Sequence, residues 1–357
     1  MPAAMTEMPL LDIVRAGEHA LAERSPTRLT MRRESSMRTV QLGQTDLQVS
    51  AIAFGTWAFG GDWGQADVQE SKDAIHHALE LGVNLFDCAQ GYGFGVAEKL
   101  LGESLRERTR REEVVIATKG GLRMEGDRLL RDAGRQWLRA GVESSLRSLG
   151  TDYIDLYQVH WPDLHTPPEE TAGVLEELVA EGKIRHAGVS NYDVDQMQAL
   201  GRFGRVETLQ PPYHMFRRDV EETLPYAAAH NIGVLAYGPL AHGLLSGRVR
   251  QDTTFDADDW RSKSPDFTGE TFRKNLAIVD RLNGFARERG LSLPQLAVSW
   301  TLANPAVQVA IVGARRPSQL DGTAPAADIV LTQAELWEID TILQDAVPVS
   351  GPNPEGM

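Results

Sequence analysis

Residues 84–93 have the sequence NLFDCAQGYG, in which a short apolar stretch is followed directly by a polar one. Leu85 and Phe86 are side chains of the kind that fill a buried strand, and Asp87 comes immediately after them. Tyr92 follows five residues after Asp87 and has a glycine on each side, which favours a loop. The segment therefore predicts a buried strand that ends at an acidic residue and leads into a loop carrying a tyrosine.

This strand is one of eight short apolar runs that alternate with amphipathic stretches of about ten to fifteen residues. In the amphipathic stretches apolar residues recur at helical spacing, as at Leu138, Val142, Leu146 and Leu149. The runs cover residues 49–57, 84–89, 114–120, 154–161, 184–191, 207–214, 233–240 and 307–314. Since eight successive βα units close a (β/α)8 barrel, we predict an α/β fold of the TIM-barrel class.

Further elements are predicted before the first barrel strand and after the last one. Residues 39–42 and 47–49 flank a turn and predict a β-hairpin that plugs the bottom of the barrel, with a plain extended leader as the alternative. Residues 333–343 predict a terminal helix, and residues 348–357 a C-terminal tail, frayed from Ser350 onward. A single barrel domain is therefore expected over residues 38–347.

Residues 1–37 differ from the rest in being rich in methionine and arginine. We predict that they form a disordered extension, or that Met37 is the natural first residue. A targeting segment is the alternative, but such segments are poor in acidic residues. This stretch contains Glu7, Asp12, Glu18, Glu23 and Glu34.

Composition limits the classes of function. Hydrophobic residues make up 42% of the 357 residues and charged ones 24%, as in ordinary globular proteins, and no apolar run is long enough to span a bilayer. The net charge of −14 argues against general affinity for nucleic acid. The lone Cys88 rules out an internal disulfide and any multi-cysteine metal site. We therefore expect a cytoplasmic protein, monomeric or homo-oligomeric, that binds neither membranes nor nucleic acids.

Polar side chains collect where three consecutive predicted strands end. Asp87 lies near the end of the second run, Lys119 of the third and His160 of the fourth, and Tyr92 is in the loop after the second. The carboxyl ends of the strands form the active-site face of a TIM barrel. These four side chains are therefore predicted to face a common space.

Together the four groups suit proton transfer to a carbonyl oxygen while a hydride reaches its carbon. A phenol has a pKa of about 10, and a neighbouring ammonium favours its ionised form. Asp87 can hold Lys119 charged, His160 can donate a hydrogen bond to the carbonyl oxygen, and Tyr92 can act as the general acid. Each residue alone also has a purely structural explanation, as a strand-end cap, a turn lysine, a satisfied histidine or a loop aromatic.

The order and spacing of Asp87, Tyr92, Lys119 and His160 resemble the catalytic tetrad of the aldo-keto reductases, and the resemblance extends from about residue 38 to residue 343. FGTW at residues 54–57 resembles the first strand of that family, whose tryptophan lines the pocket. The resemblance implies NADPH-dependent reduction of aldehydes or ketones to alcohols.

Further motifs resemble the cofactor site of the family. GVSN at residues 188–191 resembles the strand that, with Gln210, holds the nicotinamide carboxamide, and Tyr237 matches an aromatic that stacks on the nicotinamide. GPLAHGLLSG at residues 238–247 resembles the loop around the pyrophosphate. The predicted cofactor contacts are accordingly Thr56, Trp57, Asp87, Ser190, Asn191, Gln210, Tyr237, Gly238, Pro239, Leu240, Arg248, Arg261, Gly313, Arg315 and Gln319.

GARRPSQ at residues 313–319 follows the eighth run and opens a helix, whose free N–H groups favour a phosphate. Arg315 and Arg316 suit the 2′-phosphate of NADPH because a guanidinium binds phosphate with two hydrogen bonds. Two departures from the family pattern stand out: Cys88 replaces a common threonine, and Gly322 and Thr323 replace a Glu–Asn pair near the adenine. NADH therefore remains possible as the cofactor.

One wall of the substrate pocket is predicted to be aromatic and to consist of Trp57, Phe59 and Trp161, for a small carbonyl or sugar-derived substrate. Three alternatives remain. An NAD-dependent dehydrogenase of sugars or cyclic alcohols would use the same four residues in the opposite direction. A non-catalytic cofactor-binding module would resemble the potassium-channel β subunits, which characteristically lack the histidine. An aldolase on the same barrel would use Lys119 as its Schiff-base lysine.

Overall fold

The computed structural model describes residues 37–61, 63, 67–126 and 128–354. Its strands are β1 (Thr39–Gln41), β2 (Gln48–Ser50), β3 (Ile52–Gly55), β4 (Leu85–Asp87), β5 (Val115–Gly120), β6 (Leu122–Glu125), β7 (Arg128–Arg131), β8 (Ile154–Val159), β9 (Ile184–Ser190), β10 (Thr208–Gln210), β11 (Gly233–Tyr237) and β12 (Val309–Gly313). The predicted N-terminal extension, apart from Met37, lies outside the described residues.

Eight of these strands are parallel and close into a barrel, in the order β3, β4, β5, β8, β9, β10, β11 and β12. The pairing of Ala310 with Ile52 closes the ring between the last strand and the first. This confirms the predicted TIM barrel, and each barrel strand lies within its predicted run. The first run was too long, because its initial residues belong to β2 and pair with β1 instead of with the barrel.

Helices cover the outside of the barrel and connect its strands. They are α1 (Val68–Glu80), α2 (Val96–Arg106), α3 (Arg135–Leu149), α4 (Pro168–Ala180), α5 (Val194–Gly201), α6 (Leu224–Ala229), α7 (Gly269–Glu288), α8 (Leu293–Ala303), α9 (Pro317–Asp321) and α10 (Gln333–Leu343). The last of these has the predicted bounds. None of the helices in the described part of the chain has the length and apolar character needed to cross a membrane.

The hairpin of β1 and β2 packs against the inside of the barrel, as predicted. Leu42 and Leu47 are buried in one cluster with Leu85 and Leu235, which face the barrel interior. The turn approaches β11 so closely that a Cβ added to Gly43, whose φ is +53°, would lie 2.3 Å from the backbone nitrogen of Gly233. Only glycine fits there, so this contact fixes the position of the hairpin.

A histidine bridge ties the hairpin turn to the barrel. His186 contacts Asp46 of the turn at 2.8 Å through Nε2 and Glu207 at 3.0 Å through Nδ1. Burial alone would lower the pKa of His186, but the hydrogen bonds and charges of Glu207 and Asp46 outweigh it and raise this pKa above its usual value of 6.5.

Because its pKa is raised by folding, His186 stabilises the protein fully below the unfolded-state pKa of about 6.5 and loses this contribution as the pH rises through the folded-state pKa. We expect the urea midpoint of unfolding to fall between pH 6 and pH 8.5, and His186→Gln to reduce that fall. The exposed His165→Gln is the control. An unchanged pH dependence in His186→Gln would show that the bridge adds no stability.

The expected fraying from Ser350 does not hold for residues 350–354. Val349 is fully buried, and its N–H donates to the carbonyl of Phe216 at 2.9 Å. Ser350 N–H donates to a carboxylate oxygen of Asp266 at 3.0 Å, and Pro354 is buried. These contacts hold the tail at the carboxyl end of the barrel, where Pro352 and Pro354 line the same pocket as Tyr92.

Candidate active site

Adjacent strands β4 and β5 bring Asp87 and Lys119 together. Lys119 Nζ lies 2.8 and 3.0 Å from the two carboxylate oxygens of Asp87, and it also donates to the carbonyl of Cys88 at 2.8 Å. Lys119 is 1% exposed and Asp87 3%. The ion pair is therefore enclosed by protein, and each charge depends on the other.

Tyr92 and His160 complete the group. Lys119 Nζ is 5.2 Å from the centroid of the Tyr92 ring, and the Tyr92 and His160 ring centroids are 5.8 Å apart at an angle of 79°. Burial, and then the charge of Lys119, hold the pKa of His160 well below 6.5. The imidazole is therefore neutral at pH 7 and has one N–H to donate.

The loop that carries Tyr92 is held against the loop after β3. A Cβ added to Gly60 would lie 2.9 Å from the Cα of Tyr92, so this approach requires glycine. The Trp57 ring stacks on the Tyr92 ring with centroids 6.3 Å apart. Sequence patterns gave no sign of the contact at Gly60, because it joins two loops that are distant in the chain.

The four predicted nicotinamide contacts lie in a hydrogen-bonded network beside the tetrad. Gln210 donates to Asp87 at 2.8 Å, and Ser190 donates to the carbonyl of Gln210 at 2.8 Å. The hydroxyl of Tyr237 donates to Asn191 Oδ1 at 2.9 Å, and burial raises its pKa to about 12. The network positions polar groups next to Asp87, at the carboxyl end of the barrel.

A cavity of about 350 Å³ extends from the tetrad to the start of α9. Most of the predicted cofactor contacts line it, from Asp87, Trp57 and Tyr237 through Gly238, Pro239, Leu240, Arg248 and Arg261 to Gly313, Arg315 and Gln319. Trp63 Nε1 and His242 Nε2, also on its walls, have no hydrogen-bond partner among the described residues. A cavity lined by Asp87 and Tyr92 at one end and by arginines further along fits a nicotinamide dinucleotide.

Two predicted contacts do not reach the cavities. Thr56 is fully buried, and its hydroxyl donates to the carbonyl of Asp87 at 3.0 Å, which ties β3 to β4. Phe59 is 6% exposed and packs on Phe54, with ring centroids 6.0 Å apart. Residues 57–59 form a 3₁₀ turn, in which side chains two positions apart point in different directions, so Trp57 lines the pocket and Phe59 enters the core. Trp161 does line the pocket.

Three of the predicted cofactor-binding groups already have partners. Arg261 is paired with Asp259 at 2.5 Å, and Arg316 with Glu70 at 3.0 Å on the surface. The backbone N–H groups of Arg315 and Arg316 donate to the side chain of Gln319 at 2.7 and 3.2 Å. The side chain of Gln319 therefore caps the start of α9. Arg315 donates to the carbonyl of Trp63 at 3.2 Å, and of the two arginines at this helix start it is the one that lines the cavity.

A cluster of aromatic rings that the sequence analysis did not identify joins the loop after β3 to the segment between β11 and α7, on the wall of this cavity. The Trp63 ring lies 5.9 Å from that of Trp260, and the Trp57 ring lies 6.1 Å from that of His242. Trp63 forms an isolated antiparallel bridge with Asp259. The one available signal was the occurrence of Trp63 and Trp260 in polar loops. Within the described residues, no cluster of three side chains suited to a metal ion is present.

Known proteins resemble this chain over most of its length. Residues 51–344 match the model of the aldo/keto reductase family. The chain is 41% identical to an aldo-keto reductase (YhdN) of Bacillus subtilis over 87% of its length and 95% of the relative's. It is 34% identical to an NADH-specific methylglyoxal reductase of Escherichia coli, over 84% and 96% of the two chains.

Among solved structures, a glycerol dehydrogenase from Gluconobacter oxydans superposes with a TM-score of 0.79 at 40% identity, over 89% of this chain and 98% of that one. Plant proteins named as probable voltage-gated potassium channel β subunits are also among the relatives. The chain therefore belongs to the aldo-keto reductase family, whose members are oxidoreductases that use NADPH or NADH to reduce carbonyl compounds.

Proposed function

We propose that the protein reduces small aldehydes or ketones to alcohols, with NADPH as its preferred cofactor and Tyr92 as the general acid. The observation that supports this most strongly is the position of the Tyr92 ring, 5.2 Å from the Lys119 ammonium and 5.8 Å from the His160 ring. The pocket around it is lined by Trp57 and Trp161, which suit a small, largely apolar carbonyl compound.

When bound, the reduced nicotinamide supplies the hydride. The side chains of the protein orient the substrate and transfer the proton. His160 donates a hydrogen bond that orients the carbonyl oxygen, and Tyr92 donates its proton to that oxygen as negative charge develops there. The Lys119 ammonium stabilises the phenolate that remains, and Asp87 keeps Lys119 charged and in place, 2.8 Å away. Proton transfer of this kind contributes a factor of about 10²–10⁴ to the rate.

The same residues serve oxidation, with the Tyr92 phenolate as base, so a dehydrogenase is the second candidate. The likeness to a glycerol dehydrogenase favours it. A non-catalytic binding module is less well supported, because His160 is present and lies beside Tyr92. A Schiff-base role for Lys119 is opposed by the enclosed ion pair that it forms with Asp87.

We propose NADPH because Arg315 lines the far part of the cavity. We expect Arg315→Ala to weaken NADPH binding about tenfold, since a hydrogen bond to a charged group contributes about 1.5–3 kcal/mol, and to change NADH binding less than about twofold. Quenching of tryptophan fluorescence in titrations gives both dissociation constants. The matched control is Arg147→Ala, an exposed arginine on α3. Equal weakening of both cofactors would refute a 2′-phosphate contact.

The direct assay of the proposal follows NADPH consumption with methylglyoxal, glyceraldehyde and benzaldehyde at pH 7, and the reverse reaction with glycerol and NAD. We expect saturable consumption of NADPH and recovery of the alcohol. Faster oxidation of glycerol would make the protein a dehydrogenase. Cofactor binding without turnover of any compound would favour the binding module.

A further inference from the structure

A buried group of polar side chains lies behind the tetrad, between the barrel and the helices α2 and α3. Tyr157 of β8 is fully buried, and a Cβ added to Gly141 of α3 would lie 3.1 Å from its hydroxyl oxygen. On the neighbouring strand β5, the Thr118 hydroxyl donates to a carboxylate oxygen of the buried Glu98 of α2 at 2.7 Å. None of these four residues lines the cavities beside Tyr92, so the proton transfer described above does not use them.

The side chain of Gln90 reaches the Tyr157 hydroxyl from the loop after β4. A Cβ added to Gly141 would lie 3.1 Å from Gln90 Oε1 as well as 3.1 Å from the Tyr157 oxygen. A Cβ added to Gly120 would lie 3.6 Å from Gln90 Oε1 and 1.8 Å from the Tyr157 oxygen. The two oxygens therefore border one small space, which is open because glycine occupies both positions.

The two side chains that meet there are complementary. Gln90 is 8% exposed and Tyr157 is fully buried, and neither Gln90 Oε1 nor the Tyr157 oxygen has a hydrogen-bond partner among the described residues. Burial raises the pKa of Tyr157, so its hydroxyl stays protonated at neutral pH and can donate. The amide oxygen can only accept. Because an unpaired buried polar group is costly, a hydrogen bond between the two satisfies both.

Gln90 is tied through its backbone to two parts of the tetrad. Its N–H donates to the carbonyl of Lys119 at 2.9 Å, which joins the loop after β4 to the strand of the lysine. Its carbonyl accepts from Gly95 N–H at 3.2 Å, a bond that closes the loop around Tyr92. The position of Gln90 therefore affects where Tyr92 lies relative to Lys119.

Tyr157 is tied to the third part. It lies on β8, three residues before His160. Its hydroxyl packs under Gly120, which directly follows Lys119 and whose carbonyl accepts from His160 N–H at 2.9 Å. The space shared by the hydroxyl and the amide is thus at the junction of the three segments that carry the tyrosine, the lysine and the histidine.

We propose that Gln90 and Tyr157 are positioning residues for the proton transfer: the Tyr157 hydroxyl donates to Gln90 Oε1, and this contact fixes the loop that carries Tyr92. It thereby sets the separation between the Tyr92 ring centroid and Lys119 Nζ, which is 5.2 Å. That separation determines how strongly the ammonium favours the phenolate. The inference rests on the proposed role of Tyr92 as the general acid.

Tyr157→Phe and Gln90→Met remove the hydroxyl and the amide while keeping most of the side-chain volume. Each should lower kcat by about five- to tenfold, because a misplacement of about 1 Å can cost as much as about 10²-fold. KM and the dissociation constant of NADPH should stay within about twofold, since neither side chain lines the cavities. The matched control is Tyr213→Phe, which removes the hydroxyl of another buried tyrosine, between β10 and α6, and should leave kcat unchanged.

The double variant Gln90→Met, Tyr157→Phe tests whether the two groups act as a pair. Once one partner is gone, loss of the other should lower kcat by less than about a further twofold. Losses that multiply would show that the two side chains act separately and would overturn the inference. Single variants with the kcat of the control would overturn it as well.

The pKa of Tyr92 gives a readout that needs no turnover. The ultraviolet absorbance of its phenolate is titrated and corrected with the same protein carrying Tyr92→Phe, so that the other tyrosines cancel. The titratable groups around Tyr92 are Asp87, Lys119 and His160, and of these the Lys119 ammonium favours the phenolate. In both single variants the pKa of Tyr92 should rise by about half a unit or more as the ring moves away from Lys119.

An unchanged pKa of Tyr92 in both variants would overturn the positioning role even if kcat falls, because the loss would then be a general structural one. A wild-type protein that turns over no carbonyl compound would overturn the proposed function instead, and the comparison of pKa values would still decide whether Gln90 and Tyr157 position Tyr92.

Discussion

Replacing Tyr92 with phenylalanine is expected to lower kcat for carbonyl reduction by about 10²–10⁴-fold, the usual contribution of a general acid. The change removes only the hydroxyl. The ring keeps its contact with Trp57, whose centroid is 6.3 Å away, and with His160. The dissociation constant of NADPH should therefore stay within about twofold of the wild-type value. Steady-state kinetics and fluorescence titration measure the two effects separately.

Tyr153→Phe is the matched control, because Tyr153 immediately precedes β8, at the opposite end of the barrel from the active-site pocket. It should leave kcat unchanged. Retention of more than about a tenth of the wild-type rate by Tyr92→Phe would show that another group or water supplies the proton. Loss of cofactor binding in the same variant would mean that Tyr92 has a structural role.

Replacing Asp87 with asparagine is expected to destabilise the protein by about 3–5 kcal/mol as well as to inactivate it, because it leaves a buried lysine without its counter-charge. Lys119 is 1% exposed, and among the described residues its remaining partner is the carbonyl of Cys88 at 2.8 Å. Urea unfolding monitored by circular dichroism measures the loss. Asp152→Asn, at an exposed aspartate, should change stability by less than about 0.5 kcal/mol.

The double variant Asp87→Asn, Lys119→Met separates stability from chemistry. Replacing both charges removes the unpaired ammonium, so much of the lost stability should return, while the enzyme stays inactive. A double variant no more stable than Asp87→Asn would contradict the assignment of the loss to an uncompensated charge. Recovery of activity would remove the Lys119–Asp87 pair from the mechanism.

The barrel, and the proximity of Asp87, Tyr92, Lys119 and His160 within it, could be predicted because both follow from local patterns. A strand of three residues such as Leu85–Asp87 is visible as an apolar run, and the barrel geometry then places Asp87, Lys119 and His160 together. Phe59 was wrongly assigned to the pocket, because a three-residue 3₁₀ turn has too short a pattern to show which of its side chains enters the core.

Contacts between distant loops could not be predicted. The bridge between Trp63 and Asp259, and the position of Pro352 and Pro354 beside Tyr92, depend on how separate loops meet above the barrel. The capping of α9 by Gln319 is local, but it competes with phosphate binding at the same N–H groups, and the sequence alone does not say which prevails. These loop contacts determine the shape of the candidate site, whereas the strand pattern determines which polar side chains meet there.

The most direct test of the central claim is transfer of deuterium from NADPH labelled at C4 of the nicotinamide to an aldehyde that the enzyme accepts. The mechanism predicts that the label appears on the carbinol carbon of the alcohol formed by the wild-type protein, and that Tyr92→Phe forms this product at a rate lower by about 10²–10⁴-fold. Unlabelled alcohol, or labelled alcohol formed equally fast by both proteins, would contradict hydride transfer assisted by Tyr92.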